Sequence, residues 1–142
     1  MPIYHLDIEI EYDFELIGLS SHEKDYRLVW SLNKHMQWNL SRAEDVLLET
    51  KGQHSRHSRF EYKQLNDMLH FTLLDNKTPE GLLMPELAQF DFLLKIEDPA
   101  ANLDDHFYRK LRKTPFLLAA FPLEVNKLKN RHHLITEEES EE

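Results

Sequence analysis

From residue 5 to residue 17, apolar and acidic residues alternate one by one. Leu6, Ile8, Ile10, Tyr12, Phe14 and Leu16 take the even positions, and Asp7, Glu9, Glu11, Asp13 and Glu15 take the odd ones. Successive side chains of a strand point to opposite faces. This period predicts one long strand from about Tyr4, with one buried face and one wet face. The period then changes. Ser20 and Glu23 have the spacing of a capping box. Tyr26, Val29, Trp30, Leu32 and Met36 recur at helical intervals, which predicts a helix over about 21–36 with Trp30 buried against the sheet. The stretch "WNLSRAEDVLLET" fits either a turn or a strand, and the polar "KGQHSRHSR" is expected to be loop.

Further on, Phe60 and Tyr62 alternate with the charged Arg59, Glu61 and Lys63, Leu69, Phe71 and Leu73 alternate with His70 and Thr72, and Asn66-Asp67 between them predicts a hairpin. "DNKTPEGL" is expected to be loop. Phe90, Phe92, Leu94 and Ile96 predict a further strand with Asp91 on its wet face. Asn102 and Asp105 open a second helix that carries Asp104 and Asp105 in its first turn and Arg109 to Lys113 in its last, which suits the helix dipole. The run "FLLAAF" (116–121) predicts a strand covered on both faces, and the stretch from Pro122 to Lys129 a short terminal helix. Hairpins outnumber βαβ units. The expected fold is therefore α+β, a single mostly antiparallel β-sheet with two main helices packed on one face. Residues 1–136 are expected to form one domain, and 137–142 a disordered acidic tail.

Composition narrows the function. The chain has 142 residues, 41% of them hydrophobic, with only three glycines and no cysteine. Disulfides, thiolate catalysis and Cys-containing zinc sites are excluded, and a reducing, cytoplasmic setting is expected. No signal-peptide pattern opens the chain, and no apolar run is long enough for a membrane helix. The formal net charge is −9, with five of the negatives in the tail. Nucleic acid and anionic membrane both require a concentrated positive footprint, so neither is an expected partner.

Several clusters carry candidate chemistry. Glu86 and Asp91, in "MPELAQFDF" (84–92), could share acid–base work or hold a hard cation. Alternatively, Pro85 starts a turn with its φ preset and Glu86 favours the dipole there. The acidic row Asp7, Glu9, Glu11, Asp13, Glu15 has same-face neighbours about 6.6 Å apart. That is too wide for a compact metal site and suits a solvated or docking face, with Arg59 and Lys63 as candidates for the strand opposite. His54 and His57, and the pair His132-His133, lack the converging ligands that a zinc site without cysteine needs, and are expected at the surface. The segment from Lys51 to Lys63 is a local basic island. Ser20, Ser21, His22 and Asp25 contain the residue types of a triad but are too close in sequence to assemble one. No phosphate-cradling or dinucleotide fingerprint is present.

The stretch "MPELAQFDF" is similar to the signature of the IPExxxVDY family, small uncharacterised bacterial proteins. Pro85, Glu86 and Asp91 match it. Met84 stands in place of Ile, Phe90 in place of Val, and Phe92 in place of Tyr, so no role of that tyrosine hydroxyl carries over. "YDFELIGLSSHEKDYRLVW" (12–30) resembles the family's N-terminal part, and the length also agrees. The resemblance implies a cytoplasmic bacterial protein and assigns no catalytic residues. Together these readings predict a non-catalytic binding or assembly module without a cofactor, acting on an unknown protein partner or on a second copy as a homodimer. The alternative is a metal- or small-molecule-dependent enzyme using Glu86 and Asp91.

Overall fold

The computed structural model describes residues 14–64, 69–97 and 103–135. In chain order the strands and helices are β1 (Glu15–Ser20), α1 (Asp25–Met36), β2 (Ser41–Thr50), β3 (Gln53–Gln64), β4 (Leu69–Asp75), β5 (Lys77–Thr78), β6 (Gly81–Leu82), β7 (Phe92–Glu97), α2 (Asp105–Arg112) and β8 (Ala119–Leu123). Single 3-10 turns occur at Pro85–Leu87, Val125–Lys127 and Arg131–Leu134. Six strands make one sheet in the order β2-β3-β4-β7-β1-β8, antiparallel throughout. β5 and β6 form a separate two-stranded ribbon. The class is α+β, as the element order predicted.

The sheet is covered on both faces. On one face Ile17, Leu19, Leu73, Phe92, Leu94 and Ile96 meet Leu28, Val29, Leu32 and Met36 of α1 and Leu111 of α2. On the other, Leu16, Leu74 and Leu93 lie under Leu83, Met84, Leu87 and Phe90, with Val125, Leu128 and Leu134 of the C-terminal segment. Double coverage explains why β1 and β7 read as nearly continuous apolar runs. Each fully buried leucine contributes about 1.5–3 kcal/mol relative to exposure.

Several expectations are corrected. The helix begins at Asp25, and its N-cap Lys24 makes no side-chain cap bond, so the Ser20–Glu23 capping box is not formed. Instead, Ser21 Oγ accepts from the Glu23 N–H at 3.2 Å. Trp30 is 59% exposed and Tyr26 60% exposed, because the aliphatic stripe Leu28, Val29, Leu32, Met36 takes the sheet side of α1. The supposed loop "KGQHSRHSR" is the turn and first half of β3. Lys51 and Gly52 have φ of 53° and 81°, as a two-residue hairpin turn of the primed type requires. The loop "DNKTPEGL" holds the β5–β6 ribbon. "FLLAAF" leads into an edge strand, β8, and is not covered on both faces: Leu118 is 61% and Phe121 51% exposed. Pro122 is tolerated in β8 because an edge strand need not donate on its outer side. The terminal helix is reduced to 3-10 turns. The second helix starts at Asp105, later than expected: Asp104, read as part of its first turn, is its N-cap and accepts from the Phe107 N–H at 3.0 Å, and the expected opening residue Asn102 lies outside the described residues.

Candidate functional site

The phrase 84–92 folds back over the second face of the sheet, and a buried asparagine holds it there. Asn76 donates through Nδ2 to the carbonyls of Leu87 (3.0 Å) and Phe90 (2.9 Å), and its Oδ1 accepts from the Met84 N–H at 2.8 Å. Its backbone pairs with Asp91 and Leu83. Pro85 starts the 3-10 turn, with Glu86 in its first turn. At the end of the phrase Phe90 packs on Gly18 of β1, where a Cβ would lie 2.6 Å from the ring.

The two carboxylates of the phrase serve different neighbours. Glu86 grips the C-terminal segment: Oε2 accepts from the Asn130 N–H at 2.7 Å and Oε1 from Asn130 Nδ2 at 2.8 Å. Burial would raise its pKa, but the Asn130 hydrogen bonds outweigh this and the net shift is downward. Asp91 sits in the bend before β7, not on a wet strand face. Its Oδ2 accepts from the Ser21 N–H at 2.9 Å, and its Oδ1 lies 3.6 Å from Lys77 Nζ. Nearby Asp75 is pushed up to about 6, by burial first and by Asp25 and Asp91, against the Lys77 backbone hydrogen bond. Among the described residues no group of three or more His, Asp and Glu is placed to hold a metal ion.

Beside the second apolar cluster, the same sheet face carries charge. Glu61 of β3, Thr72 of β4 and Lys95 of β7 are cross-strand neighbours, and so are Lys63, His70 and Glu97. His70 is bracketed: Nε2 is 3.0 Å from Glu61 Oε2 and Nδ1 is 3.3 Å from Glu97 Oε1. A carboxylate at each ring nitrogen suits the doubly protonated ring. Burial lowers the His70 pKa, but its bonds to Glu97 and Glu61 outweigh that, and the net shift is upward. Burial raises the pKa of Glu97, yet His70 and Lys95 bring it below its ordinary value. Lys95, wholly buried, donates to the Leu134 carbonyl at 3.0 Å and lies 3.6 Å from Glu97 Oε1. The buried Arg59 donates through Nε to the Glu44 carbonyl at 2.8 Å.

A groove of about 400 Å³ opens at the far edge of the sheet, lined by Leu47, Leu48 and Glu49 of β2, by His54, Ser55 and Arg56 of β3, and by Glu80. Behind it, Ser55 Oγ is 2.7 Å from His57 Nε2, and His57 Nδ1 is 2.9 Å from the Asp75 carbonyl. A carbonyl only accepts, so Nδ1 carries the proton and Nε2 accepts from the Ser55 hydroxyl. Burial lowers the His57 pKa and outweighs the opposing pull of the Asp75 carbonyl, which keeps the ring neutral. The expectation of a surface position fails for His57, which is fully buried, and holds for His54. The two project to opposite faces of β3 in its alternating burial. His132 and His133 meet edge to face with ring centroids 4.4 Å apart.

The remaining sequence candidates are dispersed. Asp7, Glu9, Glu11 and Asp13 lie outside the described residues, and Glu15 is exposed. β1 pairs with β7 and β8, so Arg59 and Lys63 on β3 do not stand opposite the end of the row. The basic island is also reduced, because Arg59 is only 7% exposed. Ser21 donates its hydroxyl to the Phe116 carbonyl at 2.7 Å, and no triad with His22 and Asp25 results. Sequence reasoning missed Ser55 and Asn76. The signal was present for Ser55, since Ser55, His57 and Arg59 alternate with exposed residues, but their polarity hid the strand.

Apolar groups are left exposed along the β8 side. Tyr26 and Trp30 stand one helical turn apart on α1, and Phe116, Leu118 and Phe121 follow α2. Arg27 of α1 stacks on Phe116, 5.0 Å from the ring centroid. Arg112 of α2 lies over both Tyr108 (5.1 Å) and Phe121 (5.8 Å). Comparison with protein-family models, with curated proteins and with solved structures finds nothing that matches this chain. Among the described residues no helix is long and apolar enough to cross a membrane.

Proposed function

We propose that this chain is a binding or assembly module of the IPExxxVDY kind, a cytoplasmic bacterial protein whose working surface is the apolar border formed by α1 and β8. The observation that carries the reading is the exposure of Tyr26, Trp30, Phe116, Leu118 and Phe121 on α1 and around β8; among the described residues Leu47, at the opposite edge of the sheet, is the other exposed large apolar group. Contiguous exposed apolar patches mark interaction surfaces, and Trp, Tyr and Arg are the residues that dominate binding energy. Arg27, Arg112 and Lys34 frame the aromatics, so the surface presents aromatic faces with cationic edges. The partner is a protein surface, either a second copy of this chain or another chain.

The enzyme reading built on Glu86 and Asp91 gains no support. Each carboxylate already accepts a backbone N–H from a separate segment, Asn130 for one and Ser21 for the other. Sedimentation of the wild type at micromolar concentration, with co-purification from the source organism, tests the module reading. Trp30→Ala combined with Phe121→Ser is expected to abolish the self- or partner association while leaving the melting curve in place. A monomeric wild type that retains no partner would overturn it.

A further inference from the structure

We propose that Ser55 is a nucleophile, activated by His57, toward short uncharged acyl esters that enter the groove between the β2–β3 hairpin and Glu80. This site lies at the β2 edge of the sheet, opposite the β8 border, and is independent of the binding surface proposed above.

Three observations converge. First, a nucleophilic serine requires a base within hydrogen-bond reach, and Ser55 Oγ stands 2.7 Å from His57 Nε2. Second, the base must be held in the correct tautomer by a further group. The Asp75 carbonyl does this at 2.9 Å by accepting from Nδ1, the orienting role that a carboxylate takes in a serine triad. Third, the pair meets an opening. Ser55 keeps 9% of its surface and lines the groove, while His57 behind it is fully buried. Burial keeps His57 neutral and able to accept a proton below ordinary imidazole pH.

The groove also limits the substrate. Leu47 and Leu48 supply an apolar wall, and Glu49 and Glu80 repel anionic acyl groups. In the reaction, Ser55 Oγ bonds to the ester carbonyl carbon as its proton passes to His57 Nε2. The carbon–oxygen bond to the alcohol then breaks, and the alkoxide takes that proton, leaving an acyl-Ser55. A water molecule, deprotonated by Nε2, adds to the acyl carbon; the bond from that carbon to Ser55 Oγ then breaks, Oγ takes the proton back from Nε2, and the acid is released.

The test uses the full chain with p-nitrophenyl acetate and, separately, a fluorophosphonate. The expected result is a burst of about one nitrophenolate per chain and a single adduct mapped to Ser55. Both are lost in Ser55→Ala with the circular dichroism unchanged. His57→Gln is expected to slow labelling about 100-fold or more. Because that variant removes a buried hydrogen-bonded ring, the pH profile of the wild type provides a second measure. Labelling should fall in acid with an inflection below pH 6.5, the ordinary histidine value. No adduct, an adduct on another residue, an adduct that persists in Ser55→Ala, or a flat profile from pH 5 to 8 would overturn the proposal.

Discussion

The ring of Phe90 lies on the bare Cα of Gly18, so close that a Cβ at residue 18 would fall 2.6 Å from Phe90 Cγ. Glycine in a strand interior is ordinarily a weakness, and alanine there should stabilise by intrinsic preference. Here the sign reverses. The ring belongs to the second apolar cluster and has no room to retreat. Gly18→Ala is expected to cost about 1–3 kcal/mol as overpacking. A denaturant melt showing no loss would mean that Phe90 moves freely.

Asn76 should matter more than either carboxylate of the phrase it holds. Its side chain closes three buried hydrogen bonds to Met84, Leu87 and Phe90. Asn76→Ala leaves the Met84 N–H and the Phe90 carbonyl unpaired, at about 1–3 kcal/mol each where water cannot reach them, while the Leu87 carbonyl keeps the Phe90 N–H at 3.0 Å. A loss of about 3 kcal/mol or more is expected in chemical denaturation, and a change below about 1 kcal/mol would contradict it.

Glu86→Gln tests the clamp on the C-terminal segment. The site is exposed, and glutamine keeps one acceptor for Asn130, so the expected cost is about 1 kcal/mol or less. The carboxylate's pKa is lowered on folding. Its contribution is therefore present above the unfolded value of 4.5 and is lost as pH falls through the folded value. Melting curves of Glu86→Gln and Asp91→Asn with and without divalent ions should show no ion-dependent shift. Such a shift in the wild type alone would make the two carboxylates a metal site.

Half-buried His70 and fully buried His57 should titrate on opposite sides of 6.5 in an NMR titration, His70 above and His57 below. For His70 the pKa is raised, so its stabilisation is complete below the unfolded value and fades as pH rises through the folded one. Asp75, at about 6 in the fold, acts in the same direction. Asp75→Asn should therefore stabilise by up to about 2 kcal/mol at pH 8, with the gain disappearing toward pH 4. A gain that is constant with pH would show that Asp75 is not held protonated.

Trp30→Ala is expected to change stability by less than about 1 kcal/mol, since the side chain is mostly exposed. In a Trp38→Phe background, its fluorescence should be readily quenched by iodide. Protection from iodide in dilute monomer would place Trp30 in the core, whereas protection that appears only with rising concentration would support the proposed interface.

The residue pattern by itself determined the α+β class, the hairpin of β3 and β4, the strand at β7 and the helix α2 with acid in its first turn and base in its last. Each rests on local signals: period two, period 3.6, or charge placed at the helix end it suits. Tertiary structure decided which apolar residues were left over. Trp30 and Leu32 have equal claims on a helix face by spacing, and only the position of the sheet selects Leu32. It also decided that β3 is a strand through Ser55, His57 and Arg59. Its buried positions are polar, and their partners, Asp75 and Glu44, lie 18 and 15 residues away. The same holds for the phrase that first suggested chemistry. Glu86 and Asp91 are five residues apart in the chain, but the turn between them sends one to Asn130 and the other to Ser21. Spacing along a chain constrains neighbours within one element, whereas long-range partners are set by strand order, and strand order is fixed only when both faces of the sheet are filled.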